Sequence, residues 1–423
     1  MGASLTICAT TLSYALCEEA PPPSVSPAYT EDPTPKKVVD SANYPNFSRH
    51  GNGSLLKEYM TKDVYEALKD RKTAAGVTLE DLIRSGVSLP WGAQPPRGIA
   101  GVYAGDAESY MTFAELLNPL IEQHHLPTYR KKLQRHKTNL NPKELLQQQL
   151  DPDGNYILYT RLRLARSLSG FAFAPCITRA ARRQIEDIFR GCINDWKTGK
   201  YVSVMEMSNS LHNELIQRQI LFPDPDDFSI AAGLARDWPD ARGIYCNDWR
   251  DTPAIMIWCN AEDHFWIVST AKGGDVQGVF TRLTEAVWAL ETSLGDQGYK
   301  FVEDSRLGFL TTSPANIGTG LRASVFLKLV RLGRQAGFSA FLKRLRLEAN
   351  AEYEGTDKNY TGIFTIANSQ SLGKSEVNLI NIMIQGVGQL IELEKRLENG
   401  EKIDLSTIDV EIFKDPRKHS RKQ

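Results

Sequence analysis

The chain has 423 residues, 41% hydrophobic and 24% charged, with 50 Lys and Arg against 51 Asp and Glu. This is the composition of an ordinary globular protein, long enough for two or three domains and a full core. A net charge of -1 excludes general attraction to nucleic acid and leaves electrostatic targeting to local clusters.

Met1 to Cys17 carry no charge, and Ala3 to Leu16 are mostly small and apolar, too short a run to span a bilayer. Three readings stand for this leader: part of an organelle presequence, an N-myristoylation signal in Met1-Gly2-Ala3-Ser4-Leu5-Thr6 with Cys8 as a palmitoyl site, or a segment without a role. Proline and acidic residues crowd Glu18 to Pro35. Residues 1–40 are therefore expected to be a disordered leader and linker. Helices are expected over Thr61 to Lys69 and Thr78 to Ser85, each opened by a capping threonine, the second with Asp81 at the box position and Gly86 as its stop. They belong to a small all-helical domain spanning 45–132. The adjacent His124-His125 is expected to cap or follow a helix.

Residues 133–405 mix periods. Alternating runs at Tyr156 to Leu164, Ala254 to Cys259 and Phe265 to Thr270 read as strands, and Thr178 to Cys192 reads as a helix. The expectation is an α+β fold, a larger domain with an antiparallel sheet flanked by helices. A long amphipathic helix from Ser375 to Glu398, apolar at Val377, Ile380, Ile384, Val387 and Ile391, should pack over that sheet and end before Gly400. Residues 406–423 form a basic tail, with the run Arg417-Lys418-His419-Ser420-Arg421-Lys422. Six cysteines without CxxC spacing and seven histidines without HExxH pairing predict free thiols and no protein-ligated metal.

Chemistry concentrates in a few segments. In Thr312-Ser313-Pro314-Ala315-Asn316-Ile317-Gly318-Thr319-Gly320-Leu321-Arg322-Ala323, Gly318 and Gly320 let backbone amides approach an anion. In Thr160-Arg161-Leu162-Arg163, the two arginines alternate onto one strand face. Asn260-Ala261-Glu262-Asp263-His264, the run from Ala235 to Ile244 and Gly105-Asp106-Ala107-Glu108-Ser109-Tyr110 complete the set. From about Ser41 to Ile403 these segments resemble the phosphagen kinases, the ATP:guanidino phosphotransferases, and are most similar to the creatine kinase branch and its mitochondrial members.

The resemblance implies the guanidino kinase fold and reversible γ-phosphoryl transfer from Mg-ATP to creatine or another guanidino compound. ATP or ADP would arrive with Mg2+ held by the nucleotide and water. Arg161, Arg163 and Arg322 match nucleotide-phosphate ligands, and Glu262 matches the carboxylate that orients the guanidinium and accepts its proton. Ser313 stands where the family has a cysteine thiolate, and Val87 stands where it has a valine contacting the creatine methyl group. Asp263 and His264 read as structural or catalytic, and Trp258 as a residue near the site or a core residue. A homodimer through the segment around Trp238, a mitochondrial location (alternatively cytoplasmic, myristoylated) and docking of the basic tail on an anionic membrane surface complete the implications.

This chain also departs from the family pattern. Gln219 replaces a nucleotide-contacting histidine, Trp266 and Asn350 replace phosphate-binding arginines, Thr365 replaces an aspartate, and Ala351-Glu352-Tyr353-Glu354-Gly355 falls where the family has a glycine-rich flexible loop. Arg344, Arg346 and Lys358 are nearby cations able to substitute for the arginine missing at Asn350. Each lost donor in an anion-stabilising site commonly costs about 10² to 10³ in rate. The expectation is therefore a creatine kinase-like enzyme of reduced or lost activity, or alternatively an impaired homologue that binds nucleotide, pairs in a dimer or serves as a scaffold.

Overall fold

The computed structural model describes residues 44–47, 55–88, 101–125, 136–249, 255–354 and 359–410. The readings made for residues 1–40 and for the basic run at 417–422 lie outside them.

Helices α1 (Leu55–Tyr59), α2 (Lys62–Leu68), α3 (Leu79–Ser88), α4 (Ser109–Thr112) and α5 (Ala114–His125) build the N-terminal region. Thr61 caps α2 by accepting a bond from the Val64 amide. Thr78 and Asp81 exchange side-chain to backbone bonds at the head of α3, the reciprocal box predicted from the sequence. Gly86 does not end that helix, which continues to Ser88. A Cβ at Gly86 would lie 2.5 Å from Leu56 Cδ2 and 2.7 Å from the Gly101 carbonyl oxygen. The glycine is thus there for close approach, and its amide donates to that same carbonyl at 3.0 Å. Leu56, Leu82, Phe113, Leu117 and Leu120 form the local core together with Leu310, Ile317 and Leu372 from the larger domain.

The larger domain runs β1 (Ile157–Arg166), α6 (Arg179–Ile193), β2 (Lys200–Ser203), α7 (Asn209–Gln217), α8 (Asp227–Ala231), β3 (Gly243–Cys246), β4 (Ile255–Cys259), β5 (Phe265–Lys272), α9 (Val276–Asp296), β6 (Glu303–Asp304), β7 (Gly308–Phe309), β8 (Leu321–Lys328), α10 (Phe338–Arg344), β9 (Leu347–Glu354), β10 (Asn359–Asn368) and α11 (Glu376–Glu398). Among the described residues, eight strands form one antiparallel sheet in the order β2-β3-β4-β5-β1-β8-β10-β9, and β6 pairs with β7.

Strand alternation sorts the two faces. Leu162 and Leu164, Phe265 and Ile267, Ala323 and Val325, and Phe364 and Ile366 point into one core with α6, α9 and α11. The predicted seam of α11 is buried at Val377, Ile380, Ile384, Val387 and Ile391, all at most 3% exposed, and each such side chain contributes about 1.5–3 kcal/mol. Ser375 caps that helix and Asn399 ends it, one residue before Gly400. Residues of the opposite parity on the same strands make the open face. Beyond α11, Ile408 and Val410 still pack against this core.

A second sequence reading changes in the sheet. The stretch Ala351-Glu352-Tyr353-Glu354, expected to be a loop, is the second half of β9, because Leu347, Ala349 and Ala351 alternate into the core opposite β10.

Candidate functional site

The open face collects the predicted arginines from neighbouring strands. Arg163 of β1 is in register with Arg322 of β8, so two guanidinium groups lie side by side. Burial, and then Arg322, press the Arg163 guanidinium down to about 10, still charged at neutral pH. Arg161, two residues along, is lowered to about 10 by burial. It donates from Nη2 to the Gln219 carbonyl at 3.0 Å, and Gln219 has a φ of 55°. Gln219 therefore meets Arg161 through its backbone.

Trp266 has taken over part of this face. It lies flat against Trp258, with ring centroids 5.6 Å apart and planes at 26°, because the two residues are register partners on β4 and β5. The Arg163 guanidinium sits 3.5 Å from the Trp266 ring centroid and Arg161 lies 5.4 Å from that of Trp258, an alternation of cations and π-faces. The Trp266 indole donates to Asp263 Oδ2 at 3.0 Å, and the Trp258 indole donates to the Ile220 carbonyl at 2.7 Å.

Glu262 and Asp263 sit in the turn between β4 and β5, where Asn260 has a φ of 56°. The Glu262 carboxyl is pushed up to about 7 by burial first and by Asp263 second. It accepts a bond from Asn316 Nδ2 at 3.1 Å. Asp263 is raised by burial, and it receives the Thr312 amide at 2.6 Å. His264 is held neutral, lowered to about 4 by burial, and bridges the Leu168 amide and the Ala172 carbonyl. Asp263 and His264 thus work as structural clamps in this fold, while Glu262 retains a carboxyl oxygen with no hydrogen bond among the described residues.

Ser313 lies in the loop before β8, fixed at both ends. Its carbonyl accepts from Thr311 Oγ1 at 2.7 Å and from the Asn316 amide at 2.9 Å. Its own hydroxyl accepts from the Ala315 amide at 3.4 Å. The N-terminal region holds the same loop: Ala104 donates to the Thr312 carbonyl, Tyr110 to the Thr311 carbonyl, and His125 contacts the Pro314 carbonyl. Tyr103 is brought beside Glu262 and Asp226, which, after burial, raise its hydroxyl.

Not every predicted residue joins this cluster. Val87 is half-buried in the last turn of α3 and packs against the helical core, and the segment 89–100 that follows lies outside the described residues. Asn350 and Thr365 are register partners on β9 and β10, and Thr365 Oγ1 donates to Glu352 Oε1 at 2.8 Å. Arg344 does not compensate for Asn350, since it is committed to the carbonyls of Leu405 and Ile408; Lys358 lies outside the described residues. Arg322 Nη1 instead meets Glu348 Oε1 at 2.7 Å.

A groove of about 310 Å³ opens beside Arg161, walled by Leu158, Tyr159, Ile220, Met256, Phe326 and Ile363, with Gln219 and Glu352 at its polar edge. Among the described residues no group of three or more His, Cys, Asp or Glu side chains is placed to hold a metal ion. Sequence reasoning missed Asn316, Tyr103 and Glu348. Asn316 was visible inside the Ser313 loop, and Glu348 shares the strand parity of Asn350; Tyr103 had no local signal.

Comparisons with known proteins agree with this geometry. Residues 50–122 match the family model "ATP:guanido phosphotransferase, N-terminal domain" and residues 180–397 match "ATP:guanido phosphotransferase, C-terminal catalytic domain". The chain is 40% identical over 376 residues to creatine kinase B-type of Gallus gallus, covering 87% of this chain and 95% of that one. It is 37% identical over 374 residues to arginine kinase of Stichopus japonicus, covering 87% and 97%. Among solved structures, a lombricine kinase superposes with a TM-score of 0.74 at 30% identity, over 86% of this chain and 97% of that one.

Proposed function

Because the chain belongs to the ATP:guanido phosphotransferase family, the phosphagen kinases, we propose that it transfers the γ-phosphoryl group of Mg-ATP to creatine or a related guanidino compound, at a reduced rate. The observation that carries this reading is Glu262. A carboxyl poised at about 7, bonded to Asn316 and set beside the Arg163 and Arg322 pair, suits a base that takes a proton from a guanidinium near neutral pH.

In this reading the guanidino nitrogen attacks the γ-phosphorus as its bond to the bridging oxygen of ADP breaks, and Glu262 receives the nitrogen's proton. Arg161, Arg163 and Arg322 bind the phosphates, so the cost of alignment is met before reaction. The groove beside Arg161 takes the nucleoside. Mg2+, held by the nucleotide and water, would neutralise phosphate charge when bound, and Glu352 at the polar edge of the same groove would be a carboxylate facing that nucleotide. Ser313 supplies a hydroxyl without the charge of a thiolate. With Trp266 and Asn350 in place of arginines, fewer cations meet the transferring group.

A second reading rests on a specific observation, that Arg163 is already covered by Trp266 and Arg322 already paired with Glu348. It is an impaired homologue that binds nucleotide, pairs as a homodimer through the segment around Trp238, or acts as a scaffold. Phosphorus NMR with Mg-ATP and, in turn, creatine, arginine and lombricine separates the two. The first reading expects slow phosphagen formation from creatine, rising with pH through an apparent pKa near 7 and abolished by Glu262→Gln. No phosphagen from any substrate would refute it, and calorimetric binding of Mg-ADP in that case would leave the second.

A further inference from the structure

The ion pair across β10 has an unusual construction. Glu348 on β9 and Arg322 on β8 are not on adjacent strands, since β10 lies between them. Ala367 of β10 is the register partner of Glu348 on one side and of Ser324 on the other. Its methyl group leaves the open face low at that point, so the Glu348 side chain crosses over it to reach Arg322. The resulting 2.7 Å contact joins two side chains that are 29% and 30% exposed.

The position of the pair matters more than its strength. Arg322 shares its register level with Arg163, and Glu348 therefore sets its negative charge on one of two adjacent cations. The same two residues line a small cavity of about 50 Å³ with His124, Asn316, Asn368 and Gln370. Asn316 also bonds Glu262, so this cavity borders the proposed reaction centre. A carboxylate and a phosphate oxygen satisfy a guanidinium in the same way, through charge-assisted bonds from its nitrogen donors.

We propose that Glu348 is an internal competitor that occupies Arg322 as a stand-in for phosphate, so that every phosphorylated ligand entering this face must first displace it. This rests on the reading of Arg322 as a phosphate ligand. An ion pair this exposed is weak, so a polyphosphate displaces it rather than being excluded. The consequence is a site tuned to bind its anionic ligands loosely and to release them readily.

The test is calorimetric titration of the full chain with inorganic pyrophosphate and, separately, with Mg-ADP, at low and high salt. Glu348→Gln keeps the side chain's shape and removes its charge; it should tighten binding of both probes about three- to fivefold at low salt, and less at high salt. Glu348→Asp keeps the charge but falls one methylene short of the crossing, and should give a smaller gain of the same sign. A gain for pyrophosphate without any Mg-ADP binding would sustain the inference while removing the nucleotide reading. Unchanged or weaker binding in variants that unfold like the native chain overturns it, as does failure of the native chain and both variants to bind either probe.

Discussion

Trp266 is the residue at which the chemistry of this face is decided. Its ring stacks on Trp258, its indole N–H is spent on Asp263, and its face carries Arg163. If, as the resemblance implies, the family carries a phosphate-binding arginine at this position, Trp266 supplies packing and an internal hydrogen bond where that cation would stand. Stacking contributes about 0.5–1.5 kcal/mol beyond area burial, and a bond to a charged acceptor about 1.5–3 kcal/mol. Trp266→Arg should therefore lower unfolding stability in urea by about 1–3 kcal/mol, because it removes both and sets a like charge beside Arg163. The same variant restores a donor to the anion site, and its phosphoryl-transfer rate should rise by about tenfold or more. Trp266→Phe keeps most of the stack and loses the bond to Asp263, so it should lose stability without gaining rate. A faster Phe variant, or an Arg variant with unchanged rate, would show that Trp266 does not limit the chemistry.

At the scale of elements, the correction at Gly86 shows what sequence can and cannot carry. A glycine in a sequence reports only a missing Cβ. Whether it is missing for a positive φ or for a neighbour's approach depends on a partner far along the chain, here Gly101 against Gly86. Gly86→Ala should accordingly destabilise the N-terminal helices by about 1–3 kcal/mol, even though alanine is the better helix former; chemical denaturation with a helix-sensitive signal measures it, and a stabilised variant would contradict the close-packing account. Strands were more legible, since period-two alternation in β1, β4 and β5 is local and sorts both faces at once. On that basis Arg161 and Arg163 were placed together from sequence. β9 escaped because a family loop was expected there, and Glu348 escaped with it. Its partner, Arg322, is reached across a third strand through the smallness of Ala367, a relation that no local pattern encodes.

For the whole molecule, the Ser313 loop is where the helical N-terminal region and the sheet domain are joined. Tyr110 and Ala104 bond its carbonyls, and Leu310, Ile317 and Leu372 enter the helical core. His125, the last residue of α5, is fully buried at this seam. Its Nε2 lies 2.9 Å from the Pro314 carbonyl, and its Nδ1 takes the Ser371 amide at 3.4 Å. That pairing requires a neutral ring, with Nε2–H donating and Nδ1 accepting. Burial, with His124 adding to it, lowers His125 from an ordinary 6.5 to about 3. A histidine depressed in the folded state binds its proton only on unfolding, so its contribution is intact above 6.5 and is lost as pH falls from there toward 3. One such group adds a slope of about 1.4 kcal/mol per pH unit in that window. Urea unfolding measured from pH 7 down to pH 4.5 should thus show the native chain losing about 2–3 kcal/mol more than His125→Gln across the range. The glutamine variant should begin less stable at neutral pH, having lost the ring's two contacts, and the two curves should converge on acidification. Parallel curves would mean that His125 does not couple the two regions through its protonation. Curves that converge would tie the stability of the seam, and with it the placement of Asn316 against Glu262, to a neutral His125.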